Sequence, residues 1–295
     1  MTLPVMEPDL WDEGAATLEA WVRAVDDGPF GTVSFGERIA FDNPETLTLL
    51  GAVAAWTRRV EVATTVVVPQ LHDPVLLAKS LATADRLCGG RLTVGLGIGG
   101  REEDYAVVGA DLAGQTMGEL AERAAVLRSV WRGETVAGAT RTVGPPPTRP
   151  GGPDLLVGTT GPLTVRHAAG WADGLAGVTL DVDPDGVRRL FDVAEQAWAD
   201  EGRDRRPRLT TSFWFALDDG DGSAREQVHR HLHHYMSWLP AHLVDAMAPT
   251  TGFAGTPAQL RETLRRFEDI GADEVHLIPT GSDVAQVEAV AELLG

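Results

Sequence analysis

Two glycine-dense turns, an acid followed by an arginine, and four closely spaced histidines are the places where this chain could do chemistry. The first turn, Gly95-Leu96-Gly97-Ile98-Gly99-Gly100, follows a short run from Arg91 to Val94 that reads as a strand. Backbone without Cβ atoms lets a flat or phosphorylated ligand approach closely, so Gly97, Ile98, Gly99 and Gly100 are candidate binding residues. The letters also match the dinucleotide fingerprint, which requires a helix starting inside the turn and an acid about 20 positions later at a strand end. Here Arg101-Glu102-Glu103-Asp104-Tyr105 intervenes, and the acids near the right distance, Glu119 and Glu122, fall within a later helix. A nicotinamide-binding doubly wound sheet is therefore only an alternative.

The second turn, Gly158-Thr159-Thr160-Gly161, runs into Pro162 and a predicted helix. Free N–H groups at a helix start, the helix dipole and two hydroxyls suit a phosphate, although helix capping alone would also account for them. Glu37 is followed directly by Arg38. Arg38 cannot exchange a proton near neutral pH, but it could hold an anion by charge-assisted bonds. A structural ion pair between Glu37 and Arg38 is the other reading. His229 and His233 stand i,i+4 on a predicted helix, among His231 and His234, which would permit a metal pair. No acid or cysteine has matching spacing, so a solvated polar face without metal is the expectation. His72 is either pocket lining or a surface group at a helix start. Asp85 and Arg91 are expected to order the Cys88-Gly89-Gly90 turn, and Glu102, Glu103 and Asp104 to be solvated. Trp171, Trp214 and Trp238 read as core or pocket wall.

These residues need a frame, and strand and helix patterns alternate from end to end. Strands are expected at 2–6, 32–36, 60–68, 91–97, 154–158, 174–178, 209–217 and 274–279. Apolar residues almost throughout mark strands covered on both faces. Asn43-Pro44, Asp73-Pro74 and Thr256-Pro257 each read as an N-cap followed by proline in the first turn. Eight βα units predict an α/β fold, a (β/α)8 TIM barrel whose active site lies on the loops after the strand ends. The fourth and fifth strands would be neighbours, so both glycine turns would open on one mouth. An irregular Pro/Gly connector, 133–153, precedes strand five, and an insertion, 218–255, follows strand seven.

Composition narrows the partners. A chain of 295 residues, 43% hydrophobic, can form one barrel domain over 1–295. A formal charge of -18 argues against nucleic-acid and anionic-membrane partners and for a small molecule. Cys88, the sole cysteine, excludes an intrachain disulfide or a thiolate metal cluster. With no signal-like or spanning segment, a cytoplasmic location is expected.

Phe35-Gly36-Glu37-Arg38, Thr64-Thr65-Val66-Val67-Val68-Pro69 with His72-Asp73-Pro74, residues 82–109, residues 157–174 ending Gly170-Trp171-Ala172-Asp173-Gly174, and Gly255-Thr256-Pro257 occur in an order that resembles the bacterial luciferase-like family of FMN- or coenzyme F420-dependent oxidoreductases. The resemblance implies a cofactor ring against Thr65, Val66, Val68 and the Gly97–Gly100 backbone, with its phosphate on Gly158, Thr159, Thr160 and Gly161. It implies a cis peptide between Thr65 and Val66. It also implies oxygenation of a small organic substrate with reduced FMN, or hydride transfer with F420, in a homodimer or with a separate reductase. Two positions depart from the family. Arg38 stands where many relatives have a catalytic histidine, so the resemblance makes Glu37 and Arg38 the catalytic candidates, with Arg38 holding an anionic substrate, a peroxide adduct or the reduced ring. Gly100 stands where sugar-phosphate dehydrogenases of the F420 group have glutamate. Those departures leave open a barrel that binds flavin but has lost catalysis.

Overall fold

The computed structural model describes residues 1–12, 14–218 and 220–295. In chain order, α1 (Ala15–Asp27) precedes β1 (Thr32–Phe35), then come α2 (Thr46–Trp56), β2 (Glu61–Val67), α3 (Pro74–Leu87), β3 (Leu92–Leu96), α4 (Glu102–Val108), α5 (Met117–Trp131) and β4 (Asp154–Gly158). The second half holds α6 (Pro162–Ala168), β5 (Gly174–Ala176), α7 (Pro184–Asp200), β6 (Arg208–Leu217), α8 (Ser223–Tyr235), α9 (Ala241–Met247), β7 (Phe253–Gly255), α10 (Pro257–Asp269), β8 (Glu274–Pro279) and α11 (Ala285–Leu294).

All strand pairs are parallel, and β1 to β6 are neighbours in chain order, with β8 on the far side of β6. No reversal of strand order occurs along that path, which removes the doubly wound alternative and its switch-point site. The chain start closes the sheet. Thr2 N–H donates to Leu277 O at 2.9 Å, Leu3 N–H to Ser34 O at 2.8 Å, and Ser34 N–H to Met1 O at 2.9 Å. The strand expected at 2–6 is thus a single bridge from Thr2 to Ser34, yet it occupies the place of a first stave between β8 and β1. β7 was not expected as a strand; it lies in the segment read as insertion and pairs with the last residues of β6. Three half-buried residues carry no alternation that a pattern could reveal.

Helix starts follow local chemistry. The Asp73 carboxylate accepts from Val75 and Leu76 N–H, and Thr256 forms a capping box with Gln259. Asn43 does not cap α2; Glu45 does, accepting from Leu47 and Thr48 N–H at 2.9 and 2.6 Å. The connector is held by Asp85, whose carboxylate accepts from Thr148 N–H at 2.6 Å, while its carbonyl accepts from Gly90 N–H. Arg91 turns away from the cysteine turn, toward Thr57 and Val60.

One hydrophobic cluster runs from Met1 to Leu293, and a second joins Trp214 and Ala216 of β6 to Val228, Leu232 and Met236 of the α8 region and Val244 of α9. The second cluster seats the α8–α9 segment on the end of β6, beside the C-terminal strand ends. No helix of the described residues is long and apolar enough to cross a membrane.

Candidate active site

β3 and β4 pair with Leu96 opposite Val157, so the two glycine turns leave neighbouring parallel strands at the same end. Val66 stands between them. A Cβ on Gly97 would lie 2.8 Å from Val66 Cγ2, and one on Gly158 would lie 2.7 Å from Val66 Cγ1. A Cβ on Gly95 would run into Thr64 O, and one on Gly36 would come within 2.9 Å of Thr65 O. The bare backbone therefore makes room first for the protein's own Thr64–Val66 segment, and Val66 forms a floor between the turns. The Thr65–Val66 peptide is cis. Further along the turns there is room: a Cβ on Gly100 would meet nothing within 4 Å, and one on Gly161 nothing nearer than 3.8 Å. Gly99 needs its φ of +69°, and a Cβ there would press on Val68 at 3.3 Å. The Tyr105 hydroxyl donates to Ile98 O at 2.6 Å, and Gln115 Nε2 donates to Gly99 O at 2.9 Å, fixing this turn from behind.

Glu37 clamps the floor. Its N–H donates to Val66 O at 3.1 Å, its Oε2 accepts from Val68 N–H at 2.8 Å, and its Oε1 lies 2.8 Å from His72 Nε2. Burial works to lower the His72 pKa, but the hydrogen bond and charge of Glu37, with Glu45 behind, raise it above the ordinary value. His72 is thus the partner of Glu37 rather than a free group at the mouth.

Arg38 does not pair with Glu37. Its Nε donates to Asp104 Oδ2 at 3.2 Å, and Asp104 Oδ1 accepts from Ile39 and Ala40 N–H at 3.0 and 2.7 Å. Asp104, expected in solvent, is 6% exposed, because these three donors come from a loop 64 to 66 positions away. Glu102 and Glu103 are exposed as expected. The Arg38 guanidinium lies over Phe41 at 4.5 Å, Trp238 at 5.3 Å and Tyr235 at 5.9 Å. Arg101 lies over Trp238 at 4.0 Å and Tyr235 at 4.9 Å. Burial lowers the Arg38 pKa, and the neighbouring Arg101 charge lowers it further against the pull of Asp104. Arg38 Nη1 and Arg101 Nε are buried without a hydrogen-bond partner. Sequence reasoning missed Phe41, Arg101 and Tyr235. The only local sign was that Arg101 directly follows Gly100.

In the second turn, Gly161 N–H donates to Thr159 Oγ1 at 3.0 Å, and the first α6 bond runs from Val165 N–H to Gly161 O. The helix ladder leaves the N–H groups of Leu163 and Thr164 free, and Pro162 has none. Gly161 caps α6 with no side-chain bond. Thr160 and Pro162 border a cavity of about 370 Å³ shared with Thr179 and Arg189.

The histidines divide. His231 is 3% exposed, stacks on Tyr235 with centroids 5.6 Å apart and lies 2.6 Å from Glu7 Oε1. His234 packs on Phe41 at 4.8 Å. His229 and His233 are on the outer side, and Asp245 of α9 supplies the acid that spacing did not, its Oδ1 lying 3.2 and 2.8 Å from their Nε2 atoms. These bonds tie α9 to α8 and depress the Asp245 pKa. Trp214 and Trp238 belong to the mouth, whereas Trp171 packs against the core.

A profile of the luciferase-like monooxygenases matches residues 4–274. An uncharacterized protein of Mycobacterium tuberculosis is 35% identical over 168 residues, which cover 54% of this chain and 58% of that protein. The chain thus matches a little over half the length of that relative. Among solved structures, an F420-dependent secondary alcohol dehydrogenase in complex with an F420–acetone adduct superposes with a TM-score of 0.77, 18% identity, and 94% and 92% coverage. The oxygenating constituent of 3,6-diketocamphane monooxygenase of Pseudomonas putida, in complex with FMN, superposes with a TM-score of 0.69, 15% identity, and 95% and 93% coverage.

Proposed function

The chain belongs to the luciferase-like monooxygenase family, and from that premise we propose that it is an oxidoreductase binding FMN or coenzyme F420 across its two glycine turns and acting on a small organic substrate. The observation that carries this reading is the Val66 floor, packed tightly between Gly97 and Gly158, with room along the turns beyond it at Gly100 and Gly161. A flat ring fits a surface cleared of side chains but backed by a fixed one.

The bound cofactor would supply the redox step, hydride transfer with F420 or activation of O₂ with FMN. The protein supplies position. Thr65, Val66, Val68 and the backbone from Gly97 to Gly100 support the ring, and Glu37 keeps that floor in register through its bonds to Val66 and Val68. Thr159, Thr160 and the free N–H groups after Gly161 take the phosphate. The Glu37–His72 couple can hold a proton at His72 Nε2, while Arg38 binds charge and moves no proton. Cytoplasmic location, a homodimer and a separate reductase belong to the same reading.

Absorbance titration of the protein with FMN and with F420 tests it. Saturable binding of one cofactor, weakened in Gly158→Ala, is expected; saturation by neither would end the reading. Arg38 and Gly100 favour a second possibility, a barrel that binds without turnover. Reduced cofactor that binds tightly but is oxidised no faster with any of a broad substrate panel would select it.

A further inference from the structure

We propose that Arg38 and Arg101 form a subsite for the carboxylate or phosphate of an anionic substrate, held beside the cofactor ring. This rests on the reading of the glycine turns as the cofactor site and names the class of molecule placed next to it.

The two guanidinium groups lie over the same Trp238 and Tyr235 rings, so two positive charges are held together between aromatic walls. Only one carboxylate answers them. Asp104 gives Arg38 a single bond at Nε, and its other oxygen is committed to Ile39 and Ala40 N–H. Glu37 is turned to Val68 and His72, Glu102 and Glu103 are exposed on α4, and burial disfavours the charged form of the neighbouring His234. Arg38, Arg101 and Asp104 therefore leave one uncompensated positive charge, in a chain whose formal charge is -18. The Arg38 side chain is 2% exposed, and its Nη1, like Arg101 Nε, has no partner. Buried guanidinium donors without an acceptor are the unfinished half of a charge-assisted, bidentate contact.

Position sets the role. Arg38 follows Glu37, whose N–H bonds Val66 O, and Arg101 follows Gly100, where the open backbone begins. An anion bridging the two would keep the rest of its molecule over the Val66 floor. Phe41, Tyr235 and Trp238 offer flat walls to an aromatic or planar body.

Calorimetric titration and thermal melts with inorganic phosphate and with benzoate test this, at constant ionic strength set by chloride, on wild type, Arg38→Met and Arg101→Gln. Each is repeated with saturating FMN or F420, whichever binds. Saturable binding of both probes is expected, unaffected by bound cofactor and at least tenfold weaker in each variant, with cofactor affinity changed less than threefold. Cofactor binding that persists while the probes fail to saturate, or bind the variants equally well, overturns the subsite and leaves the cofactor reading intact. Displacement of phosphate by cofactor, with tenfold weaker cofactor binding in the variants, overturns it differently by giving the arginines to the cofactor's own phosphate. Probe binding lost in the variants, in a protein that binds neither cofactor, supports the subsite and ends the cofactor reading.

Discussion

Arg208 and Arg38 sit at opposite ends of the same ring of strands, and their surroundings differ in one respect. Arg208 opens β6, where its Nη1 and Nη2 reach Glu61 and Glu274, the first residues of β2 and β8, at 2.7 and 2.6 Å, with Thr93 at 3.3 Å. Burial disfavours its charge, but the two carboxylates outweigh that and raise its pKa. At the other end, Arg38 has one carboxylate, a like-charged neighbour and an orphaned donor. One arginine is finished by the chain that carries it, while the other keeps a buried donor that the described residues do not satisfy. Saturated charge at the strand starts ties four strands together, and under the subsite proposal the unsaturated charge at the strand ends marks a binding surface, in keeping with the division of stability and function between the two faces of such barrels.

Breaking the finished cluster should produce the largest effect. Arg208→Met takes from Glu61 and Glu274 the guanidinium that bridges them, while His276 stays 3.5 Å from Glu274; losing one partner of a fully buried pair costs about 3–5 kcal/mol. Partial exposure of all three side chains reduces the expected loss to about 2–3 kcal/mol, read by denaturant unfolding, with cofactor affinity per folded molecule unchanged. The Glu274 pKa is held far below its ordinary value, because bonds and charge from His276 and Arg208 outweigh burial. Its stabilisation is complete above the unfolded carboxylate value of about 4.3 and is lost as pH falls below it. In Arg208→Met that acid slope should shrink. A variant of normal stability that no longer bound cofactor would reverse the roles assigned to the two ends.

Next in size is crowding of the floor. In Gly158→Ala the new methyl meets Val66 Cγ1, and overpacking of this kind costs about 1–3 kcal/mol. Cofactor affinity should fall by about tenfold, since a ring on the mouth side feels any movement of Val66 (a loss of about 1.4 kcal/mol). Val66→Ala/Gly158→Ala should recover stability relative to Gly158→Ala, a coupling that a double-mutant cycle measures. Full additivity would mean that the glycine is not there for Val66.

Arg38→Met should cost far less than Arg208→Met. It removes a buried charge that its neighbours do not fully compensate, so stability should stay within about 1 kcal/mol of wild type or rise. A loss comparable to that of Arg208→Met would show that Asp104 alone completes Arg38, and the contrast between the ends would disappear.

What could be read from the sequence follows the same division between local and distant. Apolar runs disclosed β1 to β6 and β8, Asp73-Pro74 and Thr256-Pro257 disclosed two helix starts, and the spacing of glycines disclosed both turns, because each depends on residues close in the chain. The mouth chemistry is assembled from afar. Asp104 is buried by donors from residues 38–40, Arg101 meets Tyr235 and Trp238 across the mouth, and Asp245 reaches His229 and His233 from another helix. Charge patterns alone made Asp104 look solvated, and no periodicity relates these positions. The chain start differs for another reason: apolar residues at 2–6 look like a strand, but only Thr2 is bridged, and the chain enters its first helix at Ala15.

The smallest expected effect separates the two ends by pH. At the strand starts, stabilisation is lost in acid. Near the mouth, the Glu37–His72 pair has the opposite sign, because Glu37 raises the His72 pKa despite burial. A raised histidine pKa stabilises the fold fully below the unfolded value of about 6.5, and that contribution is lost as pH rises through the folded value. The difference should be on the order of 1 kcal/mol, as for one intramolecular hydrogen bond, measured as the change in unfolding free energy between about pH 6 and about pH 8, on either side of the ordinary histidine value. Glu37→Gln should flatten this slope while leaving the acid slope of Glu274 in place. If Glu37→Gln removed the acid slope as well, the two ends would be one coupled network, and the separation of a closed structural end from an open binding end would not hold.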